Sequence, residues 1–434
     1  LVVGAAVAVV GLVVGGLAAF GRDDDGVAQE PAPTSTSPVA APTSVIVTTT
    51  TLPVGGVWGN APTTQVAPTT SSVPQRSVLD FGAVPDDGRD DTAALRRALA
   101  AMAPGETLVV PGGTYRYSDV LVMETPGVRL VGRDGATLEA AVPSRQAIMV
   151  RADDVAVTDL RLTGATTRRF EAHEQHRVVV EQVARTLVQR VIIESGSAAG
   201  ILVFGGTDYR ILDNRVSGTL ADGIHSTAGS RGGLVQGNVL EGVGDDCIAV
   251  VSYRKDGVVS RDIVIRDNEC RDGDARGISV VGGEDVVIQA NLVVRSRAAG
   301  VYLASEGSFD TYAPKRVRVV GNRLEGANTD ARVDHGAIFI GGREGTAVAG
   351  GAPVSLVAED ITVLVNTVVD TIGGPAHVYV VNGANERLNL LGNSLSGKRA
   401  FELKLSRERY NLKANVLNGD LLGDQIGDAA SLPA

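Results

Sequence analysis

The sequence predicts an all-β fold, a parallel β-helix in which the chain winds as a solenoid of stacked coils behind a short N-terminal capping helix. Three observations carry the prediction. The composition combines 53 glycines in 434 residues with only 4% aromatics and recurrent Val and Ile, which suits many short strands joined by tight turns. Apolar alternation ending in asparagine recurs as "RILDNRV", "LVQGNVL", "IVIRDNEC", "VVIQANLV", "VRVVGNRL", "ITVLVNTV", "LNLLGNSL" and "YNLKANVL". The asparagines are Asn214, Asn238, Asn268, Asn291, Asn322, Asn366, Asn393 and Asn415, mostly 22 to 31 residues apart with one gap of 44. Between them runs a second motif, a small residue followed by alternating apolar positions, as in "GILVFGG", "CIAVVSY", "GISVVGG" and "HVYVVNG". One coil cannot bury its own inner face, but stacked coils can, and stacked asparagines can hydrogen-bond as a ladder.

Taken in order, the chain opens with "LVVGAAVAVVGLVVGGLAAF", residues 1–20, uncharged and long enough to cross a bilayer as a helix. This segment is expected to be a membrane anchor, or else a cleaved signal peptide, and so makes the membrane a partner. Residues 21–75, rich in Pro, Thr and Ser, lack the apolar periodicity to bury anything and read as an extended linker. The folded domain is expected over 76–434, with a cap region at 76–128. Within that region, Asp91 starts a run of apolar positions at helical spacing, an amphipathic helix able to cover the open end of the solenoid. A net charge of -10 argues against a nucleic-acid partner, because phosphate binding needs clustered cations. Export to the extracellular space or the cell envelope follows from the N-terminal segment.

The strings "VLDFGAVPDDGRDDTAAL", "TLVVPGGTYRYS" and "GVRLVGRDGATLEA" resemble the N-terminal region of the pectate-lyase-like superfamily of right-handed β-helices. With the repeats, the resemblance spans roughly residues 77–415 and implies the fold rather than a particular reaction.

Aligning the coils on the second motif puts Asp222, Asp246, Arg276, Ala299 and His335 just before successive strands. Parallel strands in neighbouring coils lie about 4.8 Å apart in register, so Asp222 and Asp246 should be neighbours, with Asp245 one residue back and Arg276 one coil on. His225 and Tyr302 fall two positions into their strands, on the same face. Carboxylates so gathered suit glycosidic chemistry, in which one carboxyl stays protonated as acid while another activates water or attacks the sugar.

"GDDCIA" is similar to the central motif of glycoside hydrolase family 28, the polygalacturonases and rhamnogalacturonan hydrolases. In that family three aspartates lie on consecutive coils, one in Asn-Thr-Asp and two in Gly-Asp-Asp. Asp222 in "LADGIHS" matches the first, with Leu220 and Ala221 in place of Asn-Thr, and Asp245 and Asp246 match the pair. The resemblance implies Asp245 as general acid, with Asp222 and Asp246 activating water in an inverting hydrolysis. Two family motifs are missing. Arg276 stands where polygalacturonases carry the histidine of Gly-His-Gly, and Tyr302-Leu303-Ala304 replaces the Arg-Ile-Lys that grips a sugar carboxylate. A neutral or differently decorated sugar, bound by His225 and Arg276 and stacked on Tyr302, fits this departure better than galacturonate.

Cys247 and Cys270, the only cysteines, are one coil apart, so a disulfide is feasible. The polar run "RRFEAHEQHRVVVEQ" places His173 and His176 near Glu171 and Glu174, at a spacing that matches no standard zinc pattern. Its "EAHEQ" faintly resembles the Asp-Pro-His-Glu stretch of alginate C5-epimerases. Loops following the second motif should line a groove, with Arg254, Lys255, Glu306 and Arg343 as candidates. The expected protein acts on a polysaccharide as a glycoside hydrolase without a metal or other cofactor, a Ca²⁺ requirement staying open. A lyase or C5-epimerase acting on a uronate polymer, and a glycan-binding surface protein without activity, are the alternatives. The sequence leaves the oligomeric state open.

Overall fold

The computed structural model of the protein describes residues 74–342, 346–347, 354–381 and 385–433. The apolar segment at 1–20, nearly all of the 21–75 linker, and Arg343 lie outside the described residues. Gln75 already belongs to the folded domain, because the Gln75–Ser77 strand pairs in parallel with Thr107–Val109. Among the described residues, no helix is long and apolar enough to cross a membrane.

Each turn of the chain contributes one strand to each of three long sheets, of 14, 11 and 13 strands among the described residues, and nearly all pairings are parallel. This is the expected right-handed parallel β-helix. One coil illustrates the winding. Leu234–Gln236 enters the first sheet, Val239–Glu241 the second and Ile248–Val251 the third, before Arg261–Arg266 returns to the first. Alternation decides which side chains face inward: Ile224, Ile248, Ile278 and Val301 stack in register as a fully buried column. The alternate positions of the third sheet point outward and form its groove-facing surface.

The two-residue corner between the first and second sheets explains the asparagine repeat. The residue before each asparagine takes the left-handed conformation, as at Asp213, Asp267 and Ala290, and the asparagine then turns its side chain inward. Asn214 Nδ2 donates to Asn238 Oδ1 at 2.9 Å, Asn238 to Asn268 at 2.9 Å and Asn268 to Asn291 at 2.9 Å, and the chain of bonds continues to Asn415. All eight are buried and their role is structural, as expected.

Both ends of the solenoid are closed. At the N-terminal end the Thr92–Ala100 helix buries Thr92, Ala94, Leu95, Ala98 and Leu99, and Arg96 donates to Val120 O at 3.0 and 2.7 Å while pairing with Asp119 at 2.7 Å. Asp91 stands at the N-cap but spends its carboxylate on the Val84 amide at 2.9 Å, and Asp90 caps the Thr92 amide instead. At the other end Asp420–Leu421 and Gln425–Ile426 fold back antiparallel onto the last coil. That second closure has no repeat signature to reveal it.

Candidate active site

The third sheet holds the motif that drew attention in the sequence. Its pairing puts Ile201 opposite Ile224, Ile224 opposite Ile248, Ile248 opposite Ile278, and Ile278 opposite Val301. Counting back two residues from each gives Ala199, Asp222, Asp246, Arg276 and Ala299, so the column read from sequence holds this far. It slips at His335. Val301 pairs with Ile338, which puts Gly336 in the column and His335 one residue behind, in line with Asp245. The reason is that Ala337, not Gly336, fills the small-residue position before that strand.

Asp222, Asp245 and Asp246 converge, each offering a carboxylate oxygen within 4.8 Å of the others. Among the described residues this is the one cluster dense enough to hold a metal ion, though hydrogen-bond donors from the protein already reach all three. Asp222 is bound on both oxygens, Oδ1 accepting the Asp246 amide at 3.0 Å and Oδ2 the His225 Nδ1 proton at 2.5 Å. Asp246 repeats the pattern one coil on. Its Oδ1 accepts the Arg276 amide at 3.0 Å and Arg276 Nε at 2.7 Å, and its Oδ2 accepts the Ser279 hydroxyl at 2.6 Å. Asp245 differs, for its side-chain bond comes from Arg169 Nη1, at 2.6 Å, on a loop 76 residues earlier in the chain.

These surroundings push the carboxyls apart. Burial opposes ionisation of Asp222, but the bonded His225, together with Arg169 and Arg276, outweighs it and holds the group below the ordinary carboxylate range. Burial and the charges of Asp222 and Asp246 raise Asp245 to about 6, against the pull of Arg169. His225 is desolvated too, yet the bonded Asp222, with Asp246 and Asp245 beyond it, holds it above the usual histidine value.

The remaining candidates fall into two groups. Arg276 and Tyr302 join the site's flank: the Arg276 guanidinium lies 4.6 Å over the Tyr302 ring and also binds Glu306 at 2.8 Å. Phe339, one coil further, stacks on Tyr302 at 5.0 Å with planes 9° apart. Neighbours on both sides therefore cover the faces of Tyr302, and the stacking of a sugar on that ring is not available. His335 packs against Tyr302 and Phe339. Arg254 pairs with Asp310 at 2.7 Å, and Lys255 sits over Tyr253 at 5.1 Å.

The polar run at 168–182 does not assemble a metal site. His176 is buried, accepts the Ala199 amide at 3.0 Å and is driven down to about 3, chiefly by burial. His173 turns instead to Glu181 at 2.7 Å, and Glu174 faces Arg145. Two residues of this run went unnoticed in the sequence. Arg169 reaches Asp245, and Arg177, fully buried, donates to Ser195 O and Thr163 O at 2.8 Å each. Nothing in the local pattern marks either arginine among its polar neighbours. Cys247 and Cys270 are buried free thiols rather than a disulfide. Burial and their mutual hydrogen bond push the Cys270 thiol well up.

A solenoid with carboxylates from adjacent coils meeting on its outer wall defines a parallel β-helix with an acidic candidate site. The model of the rhamnogalacturonase A/epimerase, pectate lyase-like family matches residues 75–302, and the chain belongs to that family. No curated protein sequence matches it. Among solved structures, the catalytic unit of the family-87 α-1,3-glucanase of Streptomyces thermodiastaticus is similar, with a TM-score of 0.59, 21% identity and coverage of 83% of this chain and 71% of that one. The family-28 exopolygalacturonase of Yersinia enterocolitica gives 0.56, 14%, 81% and 79% for the same quantities. PfbA, a surface adhesin of Streptococcus pneumoniae, gives 0.62, 15%, 79% and 90%. These neighbours share the parallel β-helix fold with the chain.

Proposed function

We propose that the protein is a glycoside hydrolase that cleaves a neutral polysaccharide, with Asp245 as general acid and Asp222, backed by Asp246, directing the attacking water. The observation that carries this reading is the divergence of the carboxyls: Asp245 is raised to about 6 while Asp222 is held low, within one cluster. Opposed environments of this kind assign acid and base roles. His225 and Arg276 are spent on Asp222 and Asp246, so neither is left to grip a uronate. That favours a neutral glycan, as does the fold likeness to an α-1,3-glucanase. Hydrolysis through these groups needs no metal. Inversion rests on the family-28 resemblance. The nearest carboxylate oxygens lie within 4.8 Å, whereas the carboxyl groups of most inverting enzymes stand roughly 6.5–9.5 Å apart, so the anomer formed first is a direct readout of this step.

Elimination or epimerisation would need a base beside a uronate. His225 is bonded to Asp222 and Arg276 is committed to Asp246 and Glu306, which weighs against both. The apolar segment at 1–20 and the linker at 21–75 support export, with the domain displayed from the envelope or released.

The test compares the protein with Asp245→Asn on α-1,3-glucan, polygalacturonate, rhamnogalacturonan and alginate. Reducing sugar should be released from a neutral polymer, and the variant should lose about 10²–10⁴-fold in kcat. Product absorbing as an unsaturated uronate would point to a lyase, C5 inversion without cleavage to an epimerase, and equal binding by both proteins without turnover to an adhesin.

A further inference from the structure

Asp222 and Asp246 are held by backbone amides and side chains of their own and adjoining coils, contacts that cannot open without opening the solenoid. Asp245 is held from outside the stack. Its partner Arg169 belongs to the segment between the Arg161–Gly164 strand and the His173–Gln175 turn. That segment is fastened one residue further on, where the Phe170 amide donates to Ser197 O at 2.8 Å and the Arg168 guanidinium covers the Phe170 ring at 4.7 Å. It is fastened again where the Glu171 and Ala172 amides donate to Gln175 Oε1 at 3.0 and 2.7 Å. Ser197 lies two coils before Asp245, so the anchored loop crosses the coils and leaves the Arg169 side chain free to reach over the trio. That side chain is 46% exposed.

The pair conflicts with the role of Asp245. A carboxylate bound to a guanidinium at 2.6 Å is held ionised, whereas a proton donor must be protonated and must present its oxygen to the glycosidic oxygen. We propose that Arg169 is a positioning residue, a latch that holds Asp245 as the carboxylate in the resting protein and leaves it when Asp245 delivers its proton. This rests on the reading of Asp245 as the acid. The charged and titratable groups facing Asp245 are Arg169 from the loop, Asp222 and its bonded His225 from the preceding coil, and Asp246 beside it. The two aspartates favour protonation, so withdrawal of Arg169, the cation bonded to Asp245, moves the group toward its protonated form.

Activity requires protonated Asp245, and falls as pH rises through its pKa. Removing the Arg169 charge should raise that pKa and carry the alkaline limb upward. The full chain is studied as Arg169→Ala, with Arg169→Lys as the charge-conserving control. Carboxyl ¹³C NMR, assigned with Asp245→Asn, should show Asp245 titrating about one unit or more higher in Arg169→Ala and near its normal position in Arg169→Lys. In kcat/KM against pH, the alkaline limb should move by the same amount, while kcat on the acid plateau stays within about twofold, because the latch must leave in any case. An unmoved titration overturns the proposal. So does a plateau kcat that falls by about tenfold or more, since Arg169 would then act in the transition state itself. Full activity in Asp245→Asn would instead sink the reading of Asp245 as the acid, and the NMR titration, which needs no substrate, keeps the two failures apart.

Discussion

Asp245 is a carboxyl kept in an unfavourable place, and its stability should show it. Its folded pKa of about 6 lies above the ordinary 3.8. A raised pKa means that the group's contribution to stability is fully present below about 3.8 and is lost as pH rises through about 6. At pH 7.5 the wild-type protein therefore carries a penalty that Asp245→Asn removes. The variant should be more stable to urea by up to about 3 kcal/mol at pH 7.5, with the difference vanishing near pH 4. Equal differences at the two pH values would show that the charge of Asp245 is not strained. Neighbouring aspartates in "GDDC" were legible as a site because two like charges at a strand start are costly. The pairing that holds Asp245, to an arginine 76 residues away, was not, because a loop without a repeat has no register to read.

At the scale of the element, the asparagine corner is the most regular device in the fold. Each asparagine serves two coils: Asn268 Oδ1 accepts from both the amide and Nδ2 of Asn238, and its own Nδ2 donates to Val235 O. Asn268→Ala leaves those buried groups without partners and should cost about 3 kcal/mol or more, measured by urea unfolding. A loss below about 1 kcal/mol would mean that the ladder is ornamental. The corner was readable because it is local: a left-handed residue followed by asparagine, coil after coil. Val365 shows its force, taking φ of 49° despite a β-branched side chain because the corner requires it. The same locality explains where the reading slipped. At "DHGAIF" two small residues, Gly336 and Ala337, both fit the start of a strand, and only the pairing of Val301 with Ile338 chooses between them.

For the whole molecule the question is how a stack of parallel strands avoids adding further copies of itself. Unpaired edge strands are templates for association. The Thr92–Ala100 helix covers one end, and the antiparallel strands at Asp420–Leu421 and Gln425–Ile426 cover parts of the other. Deleting residues 419–434 uncovers Tyr410–Lys413 and Val416–Leu417. Light scattering should then find a mass that grows with protein concentration, whereas the intact chain should show none of this growth. If the truncated chain behaves as the intact one does, the C-terminal strands are not a cap.

The sequence by itself determined the solenoid, its ladder and the convergence of Asp222, Asp245 and Asp246, because each follows from a short pattern repeated in register and parallel pairing turns repetition into proximity. Only the tertiary structure decided the rest. It covered the Tyr302 faces with Arg276 and Phe339, left Cys247 and Cys270 as thiols, and brought Arg169 to Asp245. These depend on side-chain directions and on an irregular loop crossing the coils, and neither repeats along the chain.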